Sequence, residues 1–266
     1  MSPIHLGGLR AVIATMLLWI IGFKTLRNIS RSEWKWIVLS GFIGSFIPMF
    51  LFAIAQTEID SGITAILNSL VPLFTLFIGL FAFAIKFTWN QLVGVLVGLV
   101  GAALLIVFGQ SLNPNQNYGY AGFVVLATIC YACNANIIKS KLQDVSPMGI
   151  AVGNFTSIVV PALLVLSFSG FFSVSVLTGP YFWTSFGYIV LLCIIGTCIA
   201  KVMFNRLVQI SSAVFSVSVT YLIPIVGVFW GVLDEENFTL KQFLAAVLIL
   251  VGVYLVNKKK TPRRTS

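Results

Sequence analysis

About nine apolar runs, each close to the length that crosses a bilayer, follow one another through this 266-residue chain with only short polar connections between them. They extend from Ile4 to Phe23, Trp36 to Ala55, Gly62 to Ile85, Gln91 to Phe108, Gly119 to Ile138, Met148 to Ser169, Trp183 to Phe204, Ala213 to Val232 and Phe238 to Val256. In hydrocarbon every backbone N–H and C=O must be satisfied within the protein, so runs of this length are helices. Composition agrees. With 59% hydrophobic residues, 9% charged residues and a mean hydropathy of +1.03, the chain lies outside the range of water-soluble domains. The expected fold class is an all-α integral membrane protein. The longest connection, Gly109 to Tyr118, is a Pro/Asn/Gly-rich turn with no room for a further domain, so the function has to lie among the helices. The opening segment is a retained helix rather than a secretory signal, because Arg10 follows an apolar start and no small-residue cleavage pattern precedes Lys24.

The net charge of +9 does not point to nucleic acid, since the basic residues are dispersed between apolar runs instead of gathered on a polar face. They report orientation. Lys24, Arg27, Arg31 and Lys35 follow the first run, and Lys86, Lys139 with Lys141, Lys201 with Arg206, and Lys258 to Arg264 follow every second run thereafter. The opposite side carries Glu58, Asp60, Asp234, Glu235 and Glu236, with Lys241 as its basic residue. The positive-inside rule then places the C-terminus in the cytoplasm of a cell whose plasma membrane, a bacterial inner membrane, holds the chain. Nine spans would leave the written N-terminus outside.

The chain also repeats itself. Gly44-Ser45, Phe52 and Pro72 recur 152 positions later as Gly196-Thr197, Phe204 and Pro224. Phe87-Thr88, Gln91, Val100-Gly101 and Leu104 recur 151 positions later as Phe238-Thr239, Gln242, Val251-Gly252 and Leu255, and Ser2-Pro3 matches Ser146-Pro147 at a shift of 144. Residues 1–108 therefore form a first repeat of four helices, 119–257 a second of five, and 258–266 a basic cytoplasmic tail. The run from Gly119 to Ile138 has no partner, and its counterpart would begin roughly 25 residues before Met1, so the repeat implies a ten-helix design written here as nine. Five helices is an odd number, so the two halves must be inverted relative to each other. Inverted-topology repeats are a recurrent architecture of secondary transporters, in which one half rocks against the other around a midplane site.

Gly196-Thr197, Phe204, Ser212-Ala213, Tyr221, Pro224, Gly227, Glu235 or Glu236, and Leu250-Val251-Gly252-Val253 resemble the second repeat of EamA-type transporters of the drug/metabolite transporter superfamily, and Leu9-Arg10 resembles the Leu-Arg pair of that family's second helix. The resemblance covers nearly the whole chain. It implies ten helices with both termini cytoplasmic, and transport, often outward, of amino acids, nucleobases, sugar derivatives or drugs. The chain departs from the family by lacking the first helix, which there helps line the substrate cavity.

A charge at membrane depth is costly unless it faces a wet cavity or reaches the interface along its own stem, which singles out Lys201 and Arg10. Thr197, Lys201 and Asn205 share a helix face at i, i+4, i+8 and could bind a carboxylate or phosphate; the alternative is a Lys201 that reaches the cytoplasmic headgroups. Arg10 occupies the repeat position of Asn154. Tyr131 with Asn134, and Tyr221 ahead of Pro224, form a second group of candidate substrate contacts, although linking helices is the default role of intramembrane polar residues. Pro72 and Pro224, symmetric in the repeat, are candidate hinges for alternating access. Gly94 and Gly98 form a GxxxG that favours close helix packing, within the chain or between the protomers of a homodimer.

Carboxylates lie only at span ends, so proton coupling through a midplane Asp or Glu is either carried by the missing helix or absent. Cys130 and Cys133 form an isolated intramembrane CxxC that reads as apolar filling, and no metal site or cofactor is expected. Gly-rich phosphate loops, H-E-x-x-H and G-x-S-x-G are all missing, so an enzyme is not expected. Asn237-Phe238-Thr239 matches a glycosylation sequon at the outer face. The leading expectation is a multi-pass permease that exports a small polar metabolite, such as an amino acid or related compound, by alternating access, with the lipid bilayer as its surroundings. A non-transporting membrane scaffold, a degenerate paralogue, is the alternative.

Overall fold

A computed structural model describes residues 2–59, 61–109, 117–174, 181–223 and 240–257. Among these, every regular element is helical, and nine helical spans follow in order. They are α1 (Pro3–Gly22), α2 (Arg31–Ala55), α3 (Ser61–Asn68 and Val71–Phe83), α4 (Trp89–Gly109), α5 (Ala121–Lys141), α6 (Pro147–Phe168), α7 (Phe182–Ile210), α8 (Ala213–Ser218, then the tighter turn Val219–Tyr221) and α9 (Leu240–Asn257). Taken singly, α1, α2, α5, α6 and α7 are long and apolar enough to cross a membrane. Pro224, Gly227, the acidic residues Asp234 to Glu236, the sequon Asn237 to Thr239 and the basic tail lie outside the described residues.

The recurrent Ser-Pro pair has a plain structural purpose. Ser2 caps α1 by accepting from the His5 N–H at 3.2 Å, and Ser146 caps α6 by accepting from the Gly149 N–H at 3.0 Å. The following proline occupies the first helical position, where an N–H would have no partner and φ is already set for the helix. Thr88 and Gln91 form a reciprocal capping box at the start of α4, at 2.8 and 3.3 Å.

Glycine contacts show how the two halves face each other. At Gly8 of α1 a Cβ would meet the Leu166 side chain of α6, and at Gly22 it would meet Val152 and Met148 of the same helix. Under the 144-residue shift Gly8 corresponds to Val152 and Gly22 to Leu166, so the two contacts are images of each other. The α4–α9 pair behaves alike: Gly101 lies against Ile249 and Ala245, while Gly252 lies against Gly98 and Gly94. A shift of 151 interchanges these two sets. A pseudo-two-fold relation therefore runs between α1 and α6 and between α4 and α9, as an inverted repeat requires. Of the two packing partners open to the GxxxG, the one within the chain occupies the Gly94/Gly98 face, with the Gly252 carbonyl 2.7 Å from where a Cβ on Gly94 would sit. That face is closed to a second protomer, because backbone approach this close leaves no room for one.

The main apolar cluster joins the two central helices, with Leu9, Val12 and Leu18 of α1 packed among Val152, Phe155, Ile158 and Leu166 of α6. The α2 and α7 helices each carry a π turn part-way along, Phe42–Phe46 and Cys193–Ile199. The α3 helix breaks at Ser69 and Leu70, and α8 tightens at Val219–Tyr221. Under the 152-residue shift the two π turns coincide and the other pair overlaps at Ser69 and Tyr221, and all four lie where the two halves leave a space between them.

Candidate functional site

That space is a cavity of about 480 Å3. Its wall is itself a set of repeat pairs: Gly44 and Gly196, Ser45 and Thr197, Pro48 and Ala200, Met49 and Lys201, Phe52 and Phe204, Asn68 and Thr220, Val71 and Ile223. Arg10 of α1, Tyr131 and Asn134 of α5, and Phe155 of α6 complete most of it.

Prolines explain why backbone groups are free here. A proline has no N–H, so the carbonyl four residues earlier in a helix loses its partner. Pro48 does this to Gly44, and Pro72 opens the new helix that follows the break after Asn68; both Gly44 and Asn68 line the cavity. Around Gly44 the helix adopts a π turn, and the Lys201 ammonium donates to the Gly44 carbonyl at 3.0 Å. A charge on α7 of the second half thereby rests on a carbonyl of α2 in the first. Because α7 runs on to Ile210 instead of ending near Phe204, Lys201 lies nine residues, about 14 Å, inside the helix end. Its ammonium is engaged with Gly44 in the interior and does not reach for the headgroups.

Arg10 approaches the same region from α1. Its Nη2 donates to Thr197 Oγ1 at 3.4 Å, one turn before Lys201, and its Nε is buried with no partner. On the opposite wall Tyr131 stacks on Phe52, ring centres 5.8 Å apart. The Asn134 carbonyl oxygen accepts from Ser40 Oγ at 2.6 Å, and the Asn154 amide meets that hydroxyl at 3.2 Å. The repeat partners Arg10 and Asn154 therefore do different things: one reaches the cavity, the other anchors α6 to α2 behind it.

Five of the expected contacts, Lys201, Thr197, Arg10, Tyr131 and Asn134, come together on this wall. Two others do not. Asn205 is fully buried and its Nδ2 donates to the Pro147 carbonyl at 3.1 Å, joining α7 to the start of α6. Tyr221 is also fully buried, with its hydroxyl donating to the Val95 carbonyl of α4 at 3.0 Å. One turn along α7 from Lys201, a neighbouring helix start has replaced the open space, and both residues link helices. Pro72 does not kink a continuous helix; it sits in the first turn of a new one after the break in α3. Sequence reasoning gave no role to the Ser40 hydroxyl or the Gly44 carbonyl. Pro48 four residues after Gly44 was the available signal for the second, and a lone serine in an apolar run offers none for the first.

Among the described residues no group of three or more His, Cys, Asp or Glu could hold a metal ion, and the four cysteines are unpaired. The Cys193 and Cys198 thiols lie 3.6 and 3.7 Å from the Arg10 and Ala14 carbonyls, tying α7 to α1.

The model of the EamA-like transporter family matches residues 1–107 and 119–258, which is nearly the entire chain. The chain belongs to the EamA-like transporter family. It is 27% identical over 269 residues to a probable amino-acid metabolite efflux pump of Escherichia coli K12, covering 96% of this chain and 85% of that protein. An inner membrane transporter of the same strain, YedA, is 26% identical over 97% of this chain and 82% of its own length. A solved crystal structure superposes with a TM-score of 0.73 at 17% identity, covering 96% of this chain and 87% of the other, which supports the fold alone. An EamA-like chain with these spans is a membrane transporter, surrounded by lipid and acting on a small molecule.

Proposed function

We propose that this EamA-like transporter is a permease, not an enzyme, that exports a small polar metabolite, an amino acid or related compound, by alternating access. The observation that carries this reading is the cavity wall made of repeat pairs, with a cation from each half lining it. In an inverted repeat the two halves can exchange conformations, so a site on their interface is exposed first to one side and then to the other. Lys201, Arg10, Thr197, Tyr131 and Asn134 are the proposed substrate contacts. Pro72, beside the break in α3, and its repeat mate Pro224 are the proposed hinges, because a proline removes a backbone hydrogen bond and a helix bends there at little further cost. We place the protein in the cytoplasmic membrane with its basic tail inside, following the distribution of Lys and Arg. The name of the E. coli efflux pump supports the substrate class and the outward direction.

Cells overproducing the chain should release at least one metabolite faster than vector controls in a broad screen of the medium. Lys201→Ala should abolish that release with membrane abundance unchanged. Release equal to the control across the screen would instead favour a non-transporting scaffold.

A further inference from the structure

The charges around the cavity do not balance. Lys201 and Arg10 both reach its wall, and among the described residues lining it there is no Asp or Glu. Neither cation is saturated. An ammonium has three N–H donors, and the Gly44 carbonyl takes one of Lys201's. Arg10 gives one nitrogen to a hydroxyl at the long distance of 3.4 Å and keeps a buried Nε with no partner. Thr197, which Arg10 contacts, lies one helical turn from Lys201, so both cations address the same part of the cavity. The rest of the wall is largely apolar and aromatic, led by Met49, Phe52 and Phe155.

Once a ligand fills the cavity and displaces its water, the two positive charges need a compensating partner. The described residues supply none here, so the ligand is the source of the negative charge. We infer that the cavity takes an organic anion in preference to a zwitterion, with its carboxylate held between Lys201 and Arg10 and its apolar body against the aromatic wall. A zwitterion would answer the carboxylate requirement but bring an ammonium into a site that already holds two cations, and the described wall offers only neutral acceptors. This rests on the permease reading and narrows its substrate to a compound carrying net negative charge.

A transport consequence follows. If the anion crosses with no counter-ion, each cycle moves net negative charge outward, and the inside-negative membrane potential alone drives export. No protonatable carboxylate is needed at the midplane.

The test compares three probes that share one body, 3-phenylpropionate, phenylalanine and 3-phenylpropionamide, for binding to the purified full-length protein in detergent by calorimetry. The anion should bind at least about tenfold more tightly than the zwitterion or the neutral amide. That preference should disappear in Lys201→Met. The wild-type comparison stands by itself if the variant does not fold. Phenylalanine binding as tightly as 3-phenylpropionate, or no binding of any probe at millimolar concentration, overturns the inference. The permease reading is judged separately, by release from cells. In proteoliposomes loaded with 3-phenylpropionate, a tenfold steeper valinomycin-clamped potassium gradient, inside negative, should raise the final outward ratio about tenfold for one net charge per cycle. A ratio that does not respond to the gradient would overturn the uncompensated step.

Discussion

The two π turns, Phe42–Phe46 in α2 and Cys193–Ile199 in α7, come from the same stretch of the repeat and sit in unlike surroundings. The first is covered by α5: a Cβ on Gly44 would run into the buried, hydrogen-bonded amide of Asn134. At the second, a Cβ on Gly196 would meet only Leu192 of its own helix, at 3.0 Å. The neighbouring side chains differ in the same direction. Ser45 and its mate Thr197 are both buried, but Ile43 and Leu51 around the first turn are half-buried whereas their mates Ile195 and Met203 around the second are 59% and 67% exposed. Related local sequence, an Ile-Gly pair followed by Ser or Thr, thus accompanies the same helical irregularity, but what the irregularity does depends on the neighbour. On the covered side it brings Asn134 against the backbone and presents a carbonyl to Lys201. On the other side it leaves α7 with the least buried surface of the five long spans.

The contrast predicts that glycine is indispensable at one turn and dispensable at the other. The largest effect belongs to Gly44→Val. Its branched side chain would have to displace Asn134, break the 2.6 Å bond to Ser40 and push α5 away from α2. Overpacking of this kind together with a lost buried hydrogen bond costs about 3 kcal/mol or more. The variant should be recovered from membranes in much smaller amount, or melt far lower in detergent. A wild-type melting temperature would show that α5 does not hold this position.

A smaller effect tests whether Asn134 is the reason. Gly44→Ala alone should destabilise by about 1–3 kcal/mol, since the methyl still meets the amide. In the Asn134→Ala background the same substitution has room, so the double variant should be more stable than the sum of the two losses by about 1 kcal/mol or more. Thermal melts of the four proteins measure this coupling. Strict additivity would mean that the two residues do not meet.

Much of the frame was legible in the sequence because hydropathy is a sum over many residues. Helix ends such as Pro3 and Phe168 fall within a residue or so of the apolar runs, and the Ser-Pro and Thr-x-x-Gln pairs are caps whose hydrogen bonds are local. The repeat could be read for the same reason, as it needs only matching residues at a fixed shift. The site was less legible. Helical period puts Lys201 and Asn205 on one face, yet it says nothing about where a neighbouring helix begins, and Pro147 takes the Asn205 amide. Tyr221 resembles a cavity residue by position and is spent on the Val95 carbonyl. GxxxG spacing announces a close approach without naming the partner, which turned out to be Gly252 of the same chain. No hydropathy signal marks a π turn, because changing the hydrogen-bond register alters neither composition nor apolar content.

The smallest expected effect completes the contrast. At Gly196 the added methyl of Gly196→Ala meets only the far end of the half-exposed Leu192 side chain, which can turn away at little cost. Replacing glycine by alanine inside a helix is worth up to about 1 kcal/mol in intrinsic propensity. The variant should therefore melt at the wild-type temperature or slightly above it, while its repeat mate Gly44→Ala melts below. A loss at Gly196 as large as the loss at Gly44 would require an unseen neighbour packed on α7 at this turn, and the asymmetry between the two halves would then be one of composition rather than of packing.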